Sequence, residues 1–169
     1  MSSPGDDVDH IVSAWRRERP DLDVSPLEVL SRVTRIAKRV DRFRREAFKS
    51  SGLESWEFDV LAALRRAGKP YQQSPGALMA QALISSGAMT HRLTKLETRG
   101  LVTRSSDPDD GRGVVVRITT AGLKAVDTAF ATLVEAEQDL LSAVTKEEQA
   151  IMASALRVLS LDVESREPR

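Results

Sequence analysis

One predicted helix of this 169-residue chain presents short hydrogen-bonding side chains on one side. If Met89, Leu93 and Leu96 face a core, a rotation of about 100° per residue directs a second set away from it. That set comprises Thr90, His91, Thr94, Lys95 and Thr98. Such side chains can approach base edges and phosphates, whereas a helix that only faces water usually carries longer Glu and Lys side chains. The pattern favours nucleic-acid contact, with a plainly solvated face as the alternative, for His91 in particular.

Other kinds of chemistry lack the residues that they require. The chain has no cysteine and only two histidines, His10 and His91, which stand far apart in the sequence. Thiolate chemistry is therefore excluded, and a zinc or nickel site is not expected. The sequence also shows no glycine-rich phosphate loop and no pairing of a nucleophile with a base. We expect a protein that is not an enzyme and that takes no cofactor and no metal.

Charge is balanced over the whole chain but unevenly distributed along it. The 25 basic residues match the 25 acidic residues. Segments 14–49 and 76–117 are net positive, and the part from residue 127 onward is net negative. A local excess of positive charge is the electrostatic footprint of a nucleic-acid-binding surface, although a solvated helix face gives the same pattern.

The composition indicates a packed core and a solvated exterior, because 41% of the residues are apolar and 30% are charged. No run approaches the roughly 18 apolar residues of a membrane span. The first residues lack the basic and apolar regions of a secretion signal. We therefore expect a cytoplasmic protein with no membrane partner.

Helical periodicity and capping signals predict five helices, a β-hairpin and two further helices, in that order. Ser25 with Glu28 is a predicted capping box at the start of the second helix, and Thr145 with Glu148 is another at the start of the last. The hairpin strands are predicted at 101–104 and 114–118, separated by a polar, turn-rich loop. The predicted helices cover about 8–19, 26–49, 56–67, 76–82, 86–99, 120–144 and 146–163.

Two short helices followed by a hairpin form the winged helix-turn-helix arrangement, in which the second helix enters the major groove and the hairpin loop reaches the adjacent backbone or minor groove. The sequence therefore predicts a mostly helical α+β fold, a winged helix-turn-helix with a helical dimerisation region. The candidate DNA contacts are Ser86, Thr90, His91, Thr94, Lys95 and, in the hairpin loop, Arg112.

Four regions follow from this order of elements. They are an N-terminal amphipathic helix and linker (1–24), a dimerisation or scaffold helix (25–54), a DNA-binding lobe (55–119) and C-terminal dimerisation helices (120–169).

Two stretches of the sequence resemble those of a known family. The segment 110–122 resembles the wing signature of MarR-type transcriptional regulators, with Ile118 where that family usually has leucine. The segment 85–102 is similar to the recognition helix of the same family and the strand after it. The resemblance extends from Leu27 to Leu159. One departure is Gly111, where many relatives carry a second wing arginine, so the wing tip is less cationic.

The N-terminal helix refines the resemblance. The segment 15–23 resembles the N-terminal addition of the urate-responsive branch of the MarR family, which implies a ligand site of Trp15, Asp59, Arg92 and Arg104. On their predicted helices, Asp59 and Arg92 lie at the boundary of the apolar stripe, where a charged pair could respond to a ligand. A structural salt bridge between two helices is the alternative for this pair. For Trp15, the alternative is a packing anchor.

The resemblance implies a homodimeric, sequence-specific repressor that binds a pseudo-palindromic operator in double-stranded DNA and is released by a small anionic ligand, either urate or another purine, or a di- or tricarboxylate. Dimerisation is also expected because one recognition helix covers too few base pairs for specificity and the terminal helices carry apolar stripes. Candidate interface residues are Ile11, Val12, Leu133, Leu140, Leu141, Ile151, Leu156 and Leu159. The rival hypothesis is a helical protein-interaction module that uses these stripes on a partner and does not bind DNA.

Overall fold

The computed structural model describes residues 5–106 and 113–166, and within them the elements follow the predicted order. The helices are α1 (Asp7–Glu18), α2 (Pro26–Ser50), α3 (Ser55–Arg66), α4 (Pro75–Ala82), α5 (Ser86–Thr98), α6 (Thr120–Leu140) and α7 (Lys146–Arg166). The strands are β1 (Gln72–Gln73), β2 (Val102–Ser106) and β3 (Val114–Ile118). The prediction of a mostly helical winged helix-turn-helix fold is confirmed.

A small antiparallel sheet carries the hairpin. Strand β3 lies at its centre, with β2 on one side and β1 on the other. In the β2–β3 pair, Val102 lies opposite Ile118 and Ser106 lies opposite Val114. Strand β1 was not predicted, because it is only two glutamines that pair with Val116 and Arg117 and shows no period.

Most helix starts are capped by a side chain. The hydroxyls of Ser74, Ser85 and Thr119 each accept a hydrogen bond from a backbone N–H three residues on. At α7, the capping box of Thr145 and Glu148 is present in both directions, with N···O distances of 2.9 and 3.2 Å. Each satisfied amide removes an unpaired donor from the first turn, which fixes where the helix begins.

The predicted capping box at α2 is wrong. Ser25 makes no side-chain bond to the helix, because its hydroxyl donates instead to the Asp23 carboxylate at 3.0 Å. The Glu28 carboxylate accepts from Arg16 of α1 at 2.5 Å, so it joins two helices rather than closing a cap. Helix α1 begins with a capping box that the sequence pattern did not reveal, formed by Asp6 and Asp9.

The core lies between α3, α5, α6 and the sheet. Its least exposed members include Leu61, Leu64, Leu96, Val116 and Ala129, all with no measurable exposure. Helix α6 turns one stripe toward this core, at Val126, Ala129 and Leu133. The core therefore fixes the position of α5 relative to the hairpin.

The terminal helices are covered to very different degrees. Val12 and Leu133 are buried within the protomer, so their prediction as interface residues is wrong: Val12 lies on α1, which packs on α2, and Leu133 belongs to the core. Helix α6 also ends at Leu140 rather than near Val144. In contrast, α7 contributes no buried residue at all.

Among the described residues, no helix combines the length and the apolar character needed to span a membrane.

Candidate nucleic-acid interface and adjoining cleft

The polar side of α5 lies open to solvent, as its sequence predicts. Met89, Leu93 and Leu96 are buried beneath the helix, each at most 2% exposed. The five candidate contacts of this helix are all exposed: Ser86, Thr90, His91, Thr94 and Lys95. A partner could therefore reach the whole face without any rearrangement of the protomer.

The threonines of this face are held by one repeated hydrogen bond. Thr90, Thr94 and Thr98 each donate their hydroxyl to the backbone carbonyl four residues earlier, at 2.9 to 3.0 Å. Because the hydroxyl hydrogen is committed to the helix, each oxygen faces a partner only as an acceptor, and each methyl group keeps a fixed direction. Such a face offers hydrogen-bond acceptors to base amino groups and methyl groups to thymine.

Arg104 lies beside this face rather than in a ligand cleft. From β2 its Nε donates to the Glu97 carboxylate of α5 at 2.9 Å, and its Nη2 lies 3.5 Å from the Thr94 hydroxyl. This arginine holds the pKa of Glu97 below its ordinary value. The predicted wing contact, Arg112, lies outside the described residues, as does Gly111.

A cleft of about 300 Å³ opens between α3, α4 and α5, and Asp59 and Arg92 both line it. Arg66, Leu78 and Gln81 complete much of its wall. No ion pair within 4 Å joins Asp59 to Arg92 in the described part of the chain, so the two charges face a shared space. The pKa of Asp59 is raised because neighbouring atoms partly exclude water from its carboxylate, although Arg44 and Arg92 act in the opposite direction.

Trp15 does not line this cleft in the protomer. It lies on α1, which packs mainly on α2, and half of its surface is exposed. The tryptophan beside Arg92 is instead Trp56 of α3, whose ring centroid lies 5.6 Å from the Arg92 guanidinium carbon. Trp56 was not singled out from the sequence, although its spacing of three residues from Asp59 places both on one side of α3.

A buried carboxylate was also not predicted from the sequence. Glu57 of α3 is only 2% exposed and accepts a hydrogen bond from Arg99, the residue that follows α5. It also accepts from the backbone N–H of Glu54 at 3.0 Å. The available signal was its place directly before Phe58 and four residues before Leu61, at the start of the apolar stripe of α3.

The fold combines a helix-turn-helix, whose polar face lies outward, with an adjacent wing of two strands. This arrangement is that of the winged helix-turn-helix proteins. The chain belongs to the MarR family: the family model matches residues 51–113, and a curated relative meets it over nearly all of its length. That relative, the HTH-type transcriptional regulator PecS of Dickeya dadantii (strain 3937), is 36% identical over 89% of this chain and 90% of its own.

Solved structures agree with this assignment. A mutant of MarR from E. coli, complexed with operator DNA, has a TM-score of 0.67 and 26% identity, covering 82% of this chain and 99% of that chain. The 2,4-dichlorophenol-bound form of the organohalide-sensing regulator RdhR has the same TM-score at 18% identity, over 82% and 80% of the two chains. The second likeness concerns the fold alone. The predicted family is confirmed, and the relatives are named as transcriptional regulators rather than enzymes.

Proposed function

We propose that this chain forms a homodimeric repressor, which binds a pseudo-palindromic operator and leaves it when a small anionic ligand enters the cleft between Asp59 and Arg92. The observation that most supports the proposal is that the polar face of α5 and the cleft adjoin each other. Arg92 lies on the same helix as the exposed threonine face, and its side chain borders the cleft. A ligand in the cleft therefore touches the element that would read DNA.

DNA binding is supported by the geometry of α5 and by the relatives. The open face carries acceptors, fixed methyl groups and Lys95, a set suited to contact both base edges and phosphates. A relative of the same fold, MarR from E. coli, has been solved with operator DNA. Dimers of such proteins bind two half-sites about one helical turn apart, which is why a pseudo-palindrome is proposed.

An anionic ligand is supported by the size and charge of the cleft. Its volume of about 300 Å³ is at the lower end of pockets that bind small molecules. Arg92 and Arg66 would attract an anion, and Asp59 would be repelled by it. Urate or another purine, and small di- or tricarboxylates, fit this description. Trp15 and Arg104, the other residues of the predicted site, lie elsewhere in the protomer, so we assign the ligand to Asp59 and Arg92 first.

Dimerisation is supported by what the protomer leaves uncovered. Ile151, Met152, Leu156 and Leu161 of α7 are between 42% and 69% exposed, although an apolar surface of this extent is usually covered by a partner. A second copy of the chain would cover it and would also supply the second recognition helix.

The test is a fluorescence anisotropy titration of the protein against a duplex from its own upstream region and an unrelated duplex of equal length. We expect specific binding that weakens steeply with salt. Thr94→Val should reduce discrimination between the two duplexes about fivefold or more, because it removes a base-facing acceptor. Thr34→Val of α2 is the matched control, since Thr34 is exposed and makes the same bond four residues back at 2.9 Å. Equal affinity for both duplexes at physiological salt would refute the proposal.

A further inference from the structure

Three cations of α5 and its C-cap all contact the start of the same neighbouring helix. Arg92, Lys95 and Arg99 are spaced three and four residues apart, so they form one stripe along the recognition helix. The stripe meets the first turn of α3, where Trp56 and Glu57 lie. The recognition helix is thus attached to α3 by side chains on the margin of the face proposed to bind DNA, as well as by its buried leucines.

Trp56 holds two of these cations. Its ring centroid lies 5.6 Å from the guanidinium carbon of Arg92 and 6.0 Å from the ammonium nitrogen of Lys95. Both distances are within the range in which a cation is attracted by the face of an indole. The Trp56 Nε1–H donates to the Glu54 carboxylate at 2.5 Å, which fixes the orientation of the ring.

Glu57 holds the third cation from inside the protein. Its side chain is buried, and Arg99 is its charge partner. Arg99 also donates from Nη2 to the backbone carbonyl of Gly52 at 2.8 Å, in the turn between α2 and α3. A buried carboxylate that loses its charge partner is strongly unfavourable, so this contact fixes where α5 ends relative to α2.

We propose that Trp56 and Glu57 are positioning residues for DNA binding: together they set the direction of Lys95 and the placement of α5 on the body of the protein. This inference rests on the proposed DNA-binding function. Lys95 remains exposed beside Trp56, so the ring directs it without withdrawing it from a phosphate. Arg92 is shared between the Trp56 ring and the cleft, so a ligand that draws Arg92 away loosens the same attachment.

Replacing the ring gives the first test. Trp56→Leu keeps an apolar side chain but removes the π face, and we expect operator affinity to fall on the order of fivefold. The slope of log affinity against log salt should become shallower by about 0.9, because one phosphate contact is lost. Trp56→Phe, which keeps a weaker π face, should give an intermediate result. Phe130→Leu is the control, since Phe130 is an exposed aromatic of α6 and no cation–π contact involves it in the described chain.

A spectroscopic test separates positioning from mere stability. The chain has two tryptophans, so in a Trp15→Phe background the emission comes from Trp56 alone. Addition of the operator duplex should change that emission, because a phosphate that pairs with Lys95 alters the charge beside the ring. The change should disappear in Trp15→Phe/Lys95→Met. This readout needs no substitution at Trp56 and therefore decides the question even if Trp56→Leu fails to fold.

Glu57→Gln should weaken operator binding as well, and its effect should not add to that of Arg99→Leu, because both remove the same contact. The unaltered protein is titrated first. If it shows no specific DNA binding, the proposed function fails. If it binds specifically, while both Trp56→Leu and Glu57→Gln bind as tightly and the Trp56 emission ignores the operator, the positioning role is wrong.

Discussion

Single residues of this protein differ in whether their charge helps or hinders folding. The pKa of Asp59 is raised by partial loss of water, so its ionised form is disfavoured in the folded state. The pKa of Asp6 is lowered from 3.8 to about 2, chiefly by its hydrogen bonds with Arg32, so its ionised form is favoured. Asp59, a residue of the proposed ligand cleft, therefore holds its charge at the expense of stability.

These opposite shifts predict opposite pH dependences. Asp59→Asn should raise the urea midpoint at neutral pH, and the gain should shrink as pH falls through the raised pKa and vanish below the ordinary value of 3.8. Asp6→Asn should lower the midpoint at neutral pH, and the deficit should shrink as pH falls from 3.8 toward about 2. Urea denaturation followed by circular dichroism from pH 7 downward measures both. A loss of stability in Asp59→Asn at pH 7 would show that Asp59 is held by a structural ion pair instead.

Residue patterns in the sequence predicted only part of the candidate site. Helical phase predicted a boundary position for Asp59 and for Arg92, and only the family resemblance grouped them into one site. Both residues line one cleft. Trp15 and Arg104 do not, because their positions depend on how α1 and β2 pack, which helical phase does not determine. Trp56 and Glu57 were overlooked because an indole and a carboxylate become informative only once a neighbouring helix brings cations to them.

At the scale of elements, the chain predicts its helices well because caps and periods are local. Ser74, Ser85, Thr119 and Thr145 mark helix starts by bonds within four residues. The box at Ser25 failed because two neighbouring groups, Asp23 and Arg16, compete for its members. Strand β1 was missed because it is held in an extended conformation by pairing with β3, which is distant in sequence.

The start of α6 makes a close contact that gives a sharp stability prediction. A Cβ at Gly122 would lie 2.7 Å from Cγ1 of Ile118 and closer still to the backbone carbonyl of Leu101. Gly122→Ala should therefore separate α6 from the sheet and cost about 1–3 kcal/mol, the usual range for overpacking. For a chain of this size we expect the melting temperature to fall by about 2–4 °C for each kcal/mol.

Gly87→Ala is the matched control for this substitution. A Cβ at Gly87 meets nothing within 4 Å, and alanine is the better helix former by roughly 0.5–1 kcal/mol. Calorimetry of both variants should therefore give shifts of opposite sign. Equal melting temperatures for Gly122→Ala and the parent would mean that α6 does not press on the hairpin.

At the scale of the whole molecule, the proposed function requires two copies. Helix α7 has no buried residue in the protomer, so its apolar side chains are available to a second copy of the chain. Leu156→Glu should give monomers in sedimentation equilibrium, because it would bury an unpaired charge in the proposed interface. Leu83→Glu is the control, since Leu83 is 90% exposed in the turn before α5 and should leave the dimer intact. Dimers that survive Leu156→Glu unchanged would place the interface elsewhere.

The wing carries a prediction about how the molecule holds DNA. The sequence predicts that Arg112 lies in the hairpin loop, and it is outside the described residues. A wing arginine contacts the backbone or the minor groove, where sequence information is degenerate. Arg112→Ala should therefore weaken binding to operator and unrelated DNA by similar factors, measured as two anisotropy titrations. Unchanged affinity for both duplexes would remove the wing from the interface.

Coupling between the cleft and the recognition helix is tested most directly by operator affinity measured with and without ligand, in the unaltered protein and in Arg92→Ala. The ligands are urate, other purines and di- or tricarboxylates that raise the melting temperature. We expect such a ligand to weaken operator binding by about 5- to 150-fold, operator to weaken ligand binding by the same factor, and Arg92→Ala to lose the effect. A ligand that weakens operator binding equally in both proteins, or no change in affinity with any of these compounds, would contradict the proposed coupling.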